Sequence, residues 1–284
     1  MSHKIIVDSS CDLTDEMKTW KNLVRVPLTL EVDDYKTMDD ENFNQDDFVE
    51  KMQAYDGAAK SACPSIDAWL QAYEGDEDEL YVVTLTSKLS GTYNSAVQAK
   101  DIYLEEHNDG KKIHIIDSMS AVSKETLIAM KVKELKDSGK SFDEVITLID
   151  KFINEDSSLY FCLDDLNNLR KNGRISNLQA AVLNALKVKL ILKEQDGFIE
   201  KATQDISSNR AIIKIANIIL KNLSSENTSE YRIAVSYCHC EERAKMLVKQ
   251  LTDRAEFKSV DIMSMGGLNT IYANVGGIVI AYGK

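Results

Sequence analysis

The chain has little proline, no long apolar run and only scattered cysteines, and each shortage excludes a class of protein. Two prolines in 284 residues, with 44% hydrophobic and 28% charged residues, are typical of a soluble, helix-rich globular protein. No apolar run reaches the roughly 18 residues of a membrane span, and residues 1–7 read as a strand rather than a signal peptide. Because a secretion signal is missing, the five cysteines are expected to be reduced thiols, which predicts a cytoplasmic protein.

Positive charge is also scarce. The sequence has 34 lysines and arginines against 46 aspartates and glutamates, for a net charge of −12 at pH 7. An acidic protein is repelled by phosphate backbones and by anionic lipid headgroups. The charge balance therefore predicts that nucleic acid is not a partner.

The common catalytic and metal-binding motifs are missing. The sequence has no GxGxxG after a strand, no Walker A loop, no HExxH and no GxSxG. Cys238-His239-Cys240 resembles half of a zinc site, but no second ligand pair has a suitable spacing. The acidic segment from Asp39 to Asp47 lacks the glycine of an EF-hand, so we expect a solvated loop there. We therefore predict no metal and no cofactor.

Apolar runs alternate with helical patterns, which predicts an α/β fold with parallel strands in the first half of the chain. The predicted strands there are Lys4–Asp8, Leu23–Val32, Leu80–Leu85 and Lys112–Asp117, and the predicted helices are Gln45–Ala54, Ser65–Tyr73, Thr92–His107 and Ser120–Asp137. Further on, Asp196-Gly197 between two apolar runs predicts a hairpin and hence a mixed sheet. Capping boxes at Ser141 and Ser176 open two more helices, the second ending at Leu186.

The domain organisation follows from length and periodicity. A chain of 284 residues is long for a single core, and the apolar periodicity lapses in the polar stretch before residue 158. We predict an N-terminal α/β domain of residues 1–157 and a C-terminal α/β domain of residues 158–284.

The most informative segment is a strand, a hydroxyl-rich turn and a helix start between Leu80 and Leu104. The turn contains Ser87, Ser90 and Thr92, and Gly91 lets the backbone approach a ligand closely. Such a turn aims backbone N–H groups and the helix dipole at an anion. Its single positive charge, on Lys88, suits one carboxylate or one phosphate. Plain capping of a helix is the alternative interpretation.

Other polar residues follow predicted strands or precede predicted helices. Asp8 and Ser9 end the first strand, where they line or brace a site, whereas Asp12 and Thr14 read as helix caps. Ser61 has no evident structural task. Residues 169–176 contain Arg170, Lys171 and Arg174, which indicate either an anion or partner site or a solvated basic turn.

Taken in order, these motifs resemble the DegV family of bacterial fatty-acid-binding proteins over essentially the whole chain. The matching motifs are Asp8-Ser9-Ser10-Cys11-Asp12-Leu13-Thr14, Ser61-x-x-Pro64-Ser65, Leu89-Ser90-Gly91-Thr92-Tyr93, Ile116-Asp117-Ser118 and Leu169-x-x-x-Gly173-Arg174-Ile175-Ser176. The resemblance implies two α/β domains with a long-chain fatty acid buried in the cleft between them. It implies a carrier that is not itself an enzyme and that presents the acid to a separate fatty-acid kinase, which makes acyl phosphate for phospholipid synthesis. Peripheral contact with a membrane is left open.

The resemblance also assigns roles to residues. It implies that Ser90, the Gly91 N–H and the adjoining Thr92 bind the carboxylate, with Ser61 as a second hydroxyl and Asn274 in the place of a family histidine. It implies that Arg174, with Arg170 beside it, faces the kinase or the phosphate.

Two other functions stay open at this point. Asn274, together with the lack of a family arginine after the Asp196-Gly197 hairpin, motivates a lipid-binding sensor that no longer serves a kinase. A hydrolase with Ser90 as nucleophile would need a base, yet none of the four histidines lies in a recognisable nucleophile–base motif. Burying each methylene of an acyl chain contributes about 0.8 kcal/mol to binding, so an apolar tunnel is the expected main source of affinity.

Overall fold

The computed structural model describes residues 2–107, 109–178 and 188–284. Its strands are β1 (His3–Asp8), β2 (Leu23–Val26), β3 (Thr29–Val32), β4 (Tyr35–Met38), β5 (Lys60–Ala62), β6 (Glu79–Thr84), β7 (Lys112–Asp117), β8 (Ser157–Cys162), β9 (Lys189–Gln195), β10 (Phe198–Asp205), β11 (Arg232–Tyr237), β12 (Ser259–Ser264) and β13 (Ile278–Gly283). Its α-helices are α1 (Gln45–Ala54), α2 (Ile66–Tyr73), α3 (Thr92–Glu106), α4 (Ser123–Asp137), α5 (Phe142–Lys151), α6 (Asn167–Lys171), α7 (Ser208–Asn222), α8 (Glu241–Thr252) and α9 (Gly267–Ala273).

Within these residues the strands form three sheets. A four-stranded sheet in the order β2-β1-β6-β7 is parallel throughout. A six-stranded sheet in the order β10-β9-β8-β13-β11-β12 is antiparallel except for its last pair, β11 and β12. A small antiparallel sheet joins β4, β3 and β5. The predicted α/β class, with a parallel sheet first and a mixed sheet second, is confirmed.

Helix α4 lies between the two large sheets and gives them a common core. It packs against β1 and β6 of the first sheet and against β8, β11 and β13 of the second. Leu127, Ile128 and Val132 on this helix are fully or almost fully buried, in one apolar cluster with side chains of both sheets. The strands of the parallel sheet all precede residue 118 and those of the mixed sheet all follow residue 156. The boundary at residues 157 and 158 stays a prediction, since the core itself is continuous across it.

Several predicted elements differ from the observed ones. The predicted strand Leu23–Val32 is two strands in different sheets, because Pro27 lacks an N–H and Leu28 donates its own to Ser9 Oγ at 3.0 Å. Strands β4 and β5 and helices α6 and α9 were not predicted. The helix predicted from Ser176 to Leu186 lies mostly outside the described residues, with Ser176–Leu178 forming a 3-10 turn.

The prediction of a solvated acidic loop is wrong at its first residue. Asp39 is 1% exposed, and its carboxylate accepts hydrogen bonds from the N–H groups of Gly267 (2.7 Å) and Leu268 (2.8 Å). Arg25 lies 3.4 Å from the same carboxylate. Asp39 is therefore buried because it caps the first turn of α9, which stabilises a helix N-terminus.

Candidate functional site

A cavity of about 370 Å³ lies at the junction of the sheets, within the usual range of roughly 300–1,000 Å³ for small-molecule pockets. Most of its wall is apolar and comes from both halves of the chain. Its apolar lining residues include Leu28, Leu85, Leu89, Val122, Leu159, Phe161, Leu163, Leu169, Ile199, Leu268 and Val279. The polar side chains on the wall include Ser10, Ser61, Ser90, Arg174, Glu194, Asn269 and Tyr272. An apolar cavity with few polar groups fits a ligand that is mostly hydrocarbon.

The hydroxyl-rich turn reaches the cavity through Ser90 and Gly91. Ser90 Oγ lies 2.8 Å from Thr92 Oγ1 and also accepts a hydrogen bond from the Thr92 N–H at 3.3 Å. Gly91 is the N-cap of α3 and Ser90 precedes it, so Ser90 serves the helix start only by accepting the N–H of the first helical residue, which leaves it able to contact a ligand as well. Thr92 is fully buried behind Ser90 and is not among the described lining residues.

Ser61 brings a second hydroxyl to the same cavity. It lies on β5, and its Oγ is 3.0 Å from the phenol oxygen of Tyr272 on α9. The sequence separates Ser61 from Ser90 by a whole helix, yet the fold puts both on one cavity wall. Tyr272 was missed because α9 was not predicted.

Strand-end acids hold the loops that line the cavity. Asp8 accepts hydrogen bonds from the N–H groups of Leu85 (2.7 Å) and Ser10 (2.8 Å). Asp117 accepts from the N–H of Ser87 at 3.2 Å. Burial raises the pKa of Asp8 to about 6, although these backbone donors oppose the shift. The bracing role expected of Asp8 is confirmed, since both of its carboxylate oxygens bind loop backbone.

The loop of the Ser90 turn also contacts the β9–β10 hairpin. Thr86 Oγ1 donates to the carbonyl oxygen of Gly197 at 3.2 Å, and both residues line the cavity. The hairpin therefore covers this part of the cavity and fixes its position against the first sheet.

The two candidate arginines lie in different environments. Arg174 lines the cavity, and its Nε donates to the Leu89 carbonyl at 3.2 Å, next to Ser90. Arg170 is exposed on α6, and its guanidinium contacts Asn167 Oδ1 at 3.4 Å. Arg174 thus offers positive charge at the cavity wall, whereas Arg170 faces solvent.

Asn274 is not among the residues that line the described cavity. Its Nδ2 donates to Asp165 Oδ2 at 3.1 Å, and its Oδ1 accepts from the Val275 N–H. Asn274 is the residue at which α9 ends, and its backbone has a positive φ of 54°. Asn269, five residues earlier, lines the cavity instead and donates to the Ser10 carbonyl at 2.8 Å. A ligand contact by Asn274 stays a prediction that this geometry does not favour.

Ser90 lacks the surroundings of a serine nucleophile. Among the described residues, its hydroxyl contacts Thr92 but no imidazole and no carboxylate.

Among the same residues, no helix combines the length and hydrophobicity needed to cross a bilayer.

The fold and cavity define a class of α/β protein in which two sheets enclose an apolar cavity with hydroxyl groups on its wall. A family model described as "Uncharacterised protein, DegV family" matches residues 2–283. This chain belongs to the DegV family.

Relatives and solved structures of the family align with this chain over nearly its full length. A DegV domain-containing protein of Streptococcus pneumoniae is 35% identical, with 99% of each chain covered. The structure of a Ruminococcus gnavus DegV family protein, described with vaccenic acid, is 36% identical over 99% of each chain with a TM-score of 0.93. The Fatty Acid Kinase (Fak) B3 protein of Streptococcus pneumoniae, loaded with linoleic acid, is 34% identical with a TM-score of 0.88, covering 100% of this chain and 99% of that one.

Proposed function

We propose that this protein binds a long-chain fatty acid in the cavity, with the carboxylate at Ser90 and Ser61, and presents it to a separate fatty-acid kinase. The observation that carries the proposal is an apolar cavity whose wall holds both hydroxyls. Relatives similar over the full length, whose structures are described with vaccenic and linoleic acids, support it. We also propose that this carrier acts in the cytoplasm and that the kinase converts its bound acid to acyl phosphate for phospholipid synthesis.

The hydrocarbon tail supplies most of the binding free energy in this proposal. Burying each methylene contributes about 0.8 kcal/mol, so ten buried methylenes contribute on the order of 8 kcal/mol before the cost of association. Leu159, Phe161 and Val279 form an apolar wall suited to that tail.

The carboxylate needs hydrogen-bond donors, because a buried unpaired charge is very costly. Ser61 and Ser90 can each rotate a hydroxyl toward it, and their present partners, Tyr272 and Thr92, carry hydroxyls that can rotate as well. Arg174 adds positive charge on the same wall. We infer that this set compensates a carboxylate, with Arg170 outside the cavity available to a partner.

Fatty-acid binding is tested by native mass spectrometry of the purified and the delipidated protein. We expect a bound long-chain acid that is lost on delipidation and regained on adding hexadecanoic acid. Ser61→Ala and Ser90→Ala should each weaken rebinding by about three- to tenfold, since a hydrogen bond to a charged group contributes about 1.5–3 kcal/mol and water replaces part of it. Ser87→Ala is the matched control, because Ser87 is in the same loop but does not line the described cavity. A delipidated protein that ignores added acid would contradict the proposal.

Presentation to a kinase needs a separate test. Acyl-phosphate formation is measured with the kinase of the same organism, the acid-loaded protein and ATP. We expect product only when all three are present, and less with Arg170→Ala and Arg174→Ala. A protein that binds acid but gives no acyl phosphate would instead be the lipid sensor without kinase coupling, as its Asn274 first suggested.

A further inference from the structure

The tip of the β9–β10 hairpin extends beyond the strand that supports its base. Among the described residues, β9 pairs with β8 only as far as Lys193, although β8 extends back to Ser157. β9 and β10 stay paired with each other up to the turn, where Gln195 lies opposite Phe198. Residues 194–200 therefore form a two-stranded arm, called the hairpin arm below, whose described strand pairing is internal.

The hairpin arm supplies all of the hairpin's share of the described cavity wall. Its lining residues are Glu194, Gly197, Phe198 and Ile199, and no described residue of β9 or β10 outside the arm lines that cavity. Gly197 and Ile199 are buried and Glu194 is half-buried, so one side of the arm faces inward. The arm, rather than the sheet behind it, therefore closes this side of the cavity.

The mouth of the cavity lies beside the tip of the hairpin arm. The lining residues that are exposed are Ala62, Cys63, Gly91 and Phe198, and the other described lining residues are buried or half-buried. Phe198 is 49% exposed and belongs to the arm, next to the turn. The other three lie at the end of β5 and in the turn of Ser90. A ligand that enters between them and Phe198 therefore passes the tip of the arm.

Weak contacts hold the tip of the arm against the loop of the Ser90 turn. Thr86 Oγ1 donates to the Gly197 carbonyl at 3.2 Å, and Lys88 Nζ lies 6.0 Å from the centre of the Phe198 ring. A neutral hydrogen bond makes only a modest net contribution to stability, and an exposed cation–π contact also contributes little. The tip can therefore separate from the loop at low cost in free energy.

The base of the arm is fixed on one strand and irregular on the other. On β9, Glu194 Oε2 lies 2.9 Å from Nζ of Lys124, whose side chain is 2% exposed. Separating a buried ion pair is strongly unfavourable, so this contact keeps the base in place. On β10, the pairing shifts register between Lys201 and Thr203, and such a bulge bends a strand and disrupts its ladder locally. Because β10 is also an edge strand, it can follow a movement of the tip without losing a second neighbour.

Resting on the proposed fatty-acid binding, we propose that the hairpin arm is the gate of the cavity. Its tip moves away from Thr86 to let the acid enter or leave, and the contact between Thr86 and Gly197 closes it again. A gate of this kind sets how fast the acid exchanges. It does not set how tightly the acid binds, because the empty and the filled protein close through the same contact.

The first experiment locks the tip with a disulfide, Lys88→Cys with Gly197→Cys, in a Cys63→Ser background that removes the exposed thiol at the mouth. A Cβ at Gly197 would lie 3.5 Å from Lys88 Cβ, within the range of roughly 3.5–4.5 Å found in disulfides. The protein is loaded with hexadecanoic acid and oxidised, and exchange for the deuterated acid is followed by native mass spectrometry. We expect exchange to be about tenfold slower, or more, than in the same protein after reduction. Equal rates before and after reduction, with the disulfide verified by peptide mapping, overturn the proposal.

The second experiment weakens the tip contact with Thr86→Val, which keeps the shape of the side chain and removes its hydroxyl. We expect uptake and release of hexadecanoic acid each to be about three- to tenfold faster, as the loss of one hydrogen bond implies, with the dissociation constant within about twofold of wild type. Thr84→Val is the matched control. Thr84 is also fully buried and its Oγ1 donates to the Ile116 carbonyl at 3.3 Å, but it does not line the described cavity, so this variant should exchange at the wild-type rate.

The outcomes separate the gate from the proposed function. Wild-type protein that takes up no fatty acid refutes fatty-acid binding itself. Protein that binds the acid but exchanges it at the wild-type rate as Thr86→Val refutes only the gate. Faster release from Thr86→Val without faster uptake identifies a lost ligand contact, and it also refutes the gate. If the disulfide does not form, the Thr86→Val measurement decides.

Discussion

The buried cap formed by Asp39 gives the sharpest stability prediction. Asp39→Ala removes the acceptor for two backbone N–H groups, at Gly267 and Leu268, and the ion-pair partner of Arg25. A hydrogen bond to a charged group contributes about 1.5–3 kcal/mol, and the buried donors left behind add a penalty. Entry of water into the vacated space offsets part of this. We therefore expect a loss of about 3–4 kcal/mol in the free energy of unfolding.

The assay is urea unfolding followed by circular dichroism, with Asp39→Asn and Asp34→Ala alongside. Asp39→Asn keeps one acceptor oxygen and should lose about half as much, on the order of 1–2 kcal/mol. Asp34 is an exposed aspartate in the same hairpin, so its replacement should change stability by less than about 0.5 kcal/mol. A loss below about 1 kcal/mol for Asp39→Ala would refute the inference that this carboxylate fixes the start of α9.

Three further predictions test the site and its supports. Tyr272→Phe removes the hydroxyl 3.0 Å from Ser61 and should weaken fatty-acid binding by about three- to tenfold in calorimetry, with stability changed by less than about 1 kcal/mol; unchanged affinity would contradict the pairing. Burial raises the pKa of Asp12 from 3.8 to about 6, so Asp12 binds its proton more tightly in the folded state than in the unfolded state. The bound proton therefore stabilises the folded state at low pH, and this stabilisation is lost as the pH rises through about 6. Asp12→Asn should therefore gain about 1 kcal/mol relative to wild type between about pH 5 and about pH 7 in urea unfolding, and a constant difference would argue against the shift. Ser141→Ala breaks a complete capping box and should cost about 1 kcal/mol by the same assay, whereas Ser138→Ala, at the end of the preceding helix, is the comparison for a serine without that role.

Local signals predicted much of the fold. The bounds of α1 at Gln45 and Ala54 match the prediction, and the capping box at Ser141 is present with both of its hydrogen bonds. The hairpin at Asp196-Gly197 is also observed, with both residues at positive φ. These features depend on neighbouring residues, so periodicity and turn chemistry are enough to find them.

Elements fixed by distant contacts were missed. Helix α9 is short, begins with glycine and has its N-terminus held by Asp12 and Asp39, which are far away in sequence. Because α9 carries Tyr272 and Asn269 to the cavity, missing the helix also meant missing those side chains. Glu194, which also lines the cavity, was missed because nothing near it in sequence marks it, and its partner Lys124 lies 70 residues earlier.

An acidic protein that is proposed to bind an anion must keep its own carboxylates from repelling it. Asp8 uses both oxygens to accept N–H groups of the loops that contain Leu85 and Ser10, and Asp39 does the same at the start of α9. Each carboxylate therefore faces backbone dipoles that offset its charge. The raised pKa of Asp8 lowers its charge further as the pH falls toward 6. Glu194 is the one carboxylate among the described lining side chains, and it is paired with Lys124 at 2.9 Å. The net charge of −12 thus does not predict the local field in the cavity, where hydroxyls and Arg174 share the wall with this paired carboxylate.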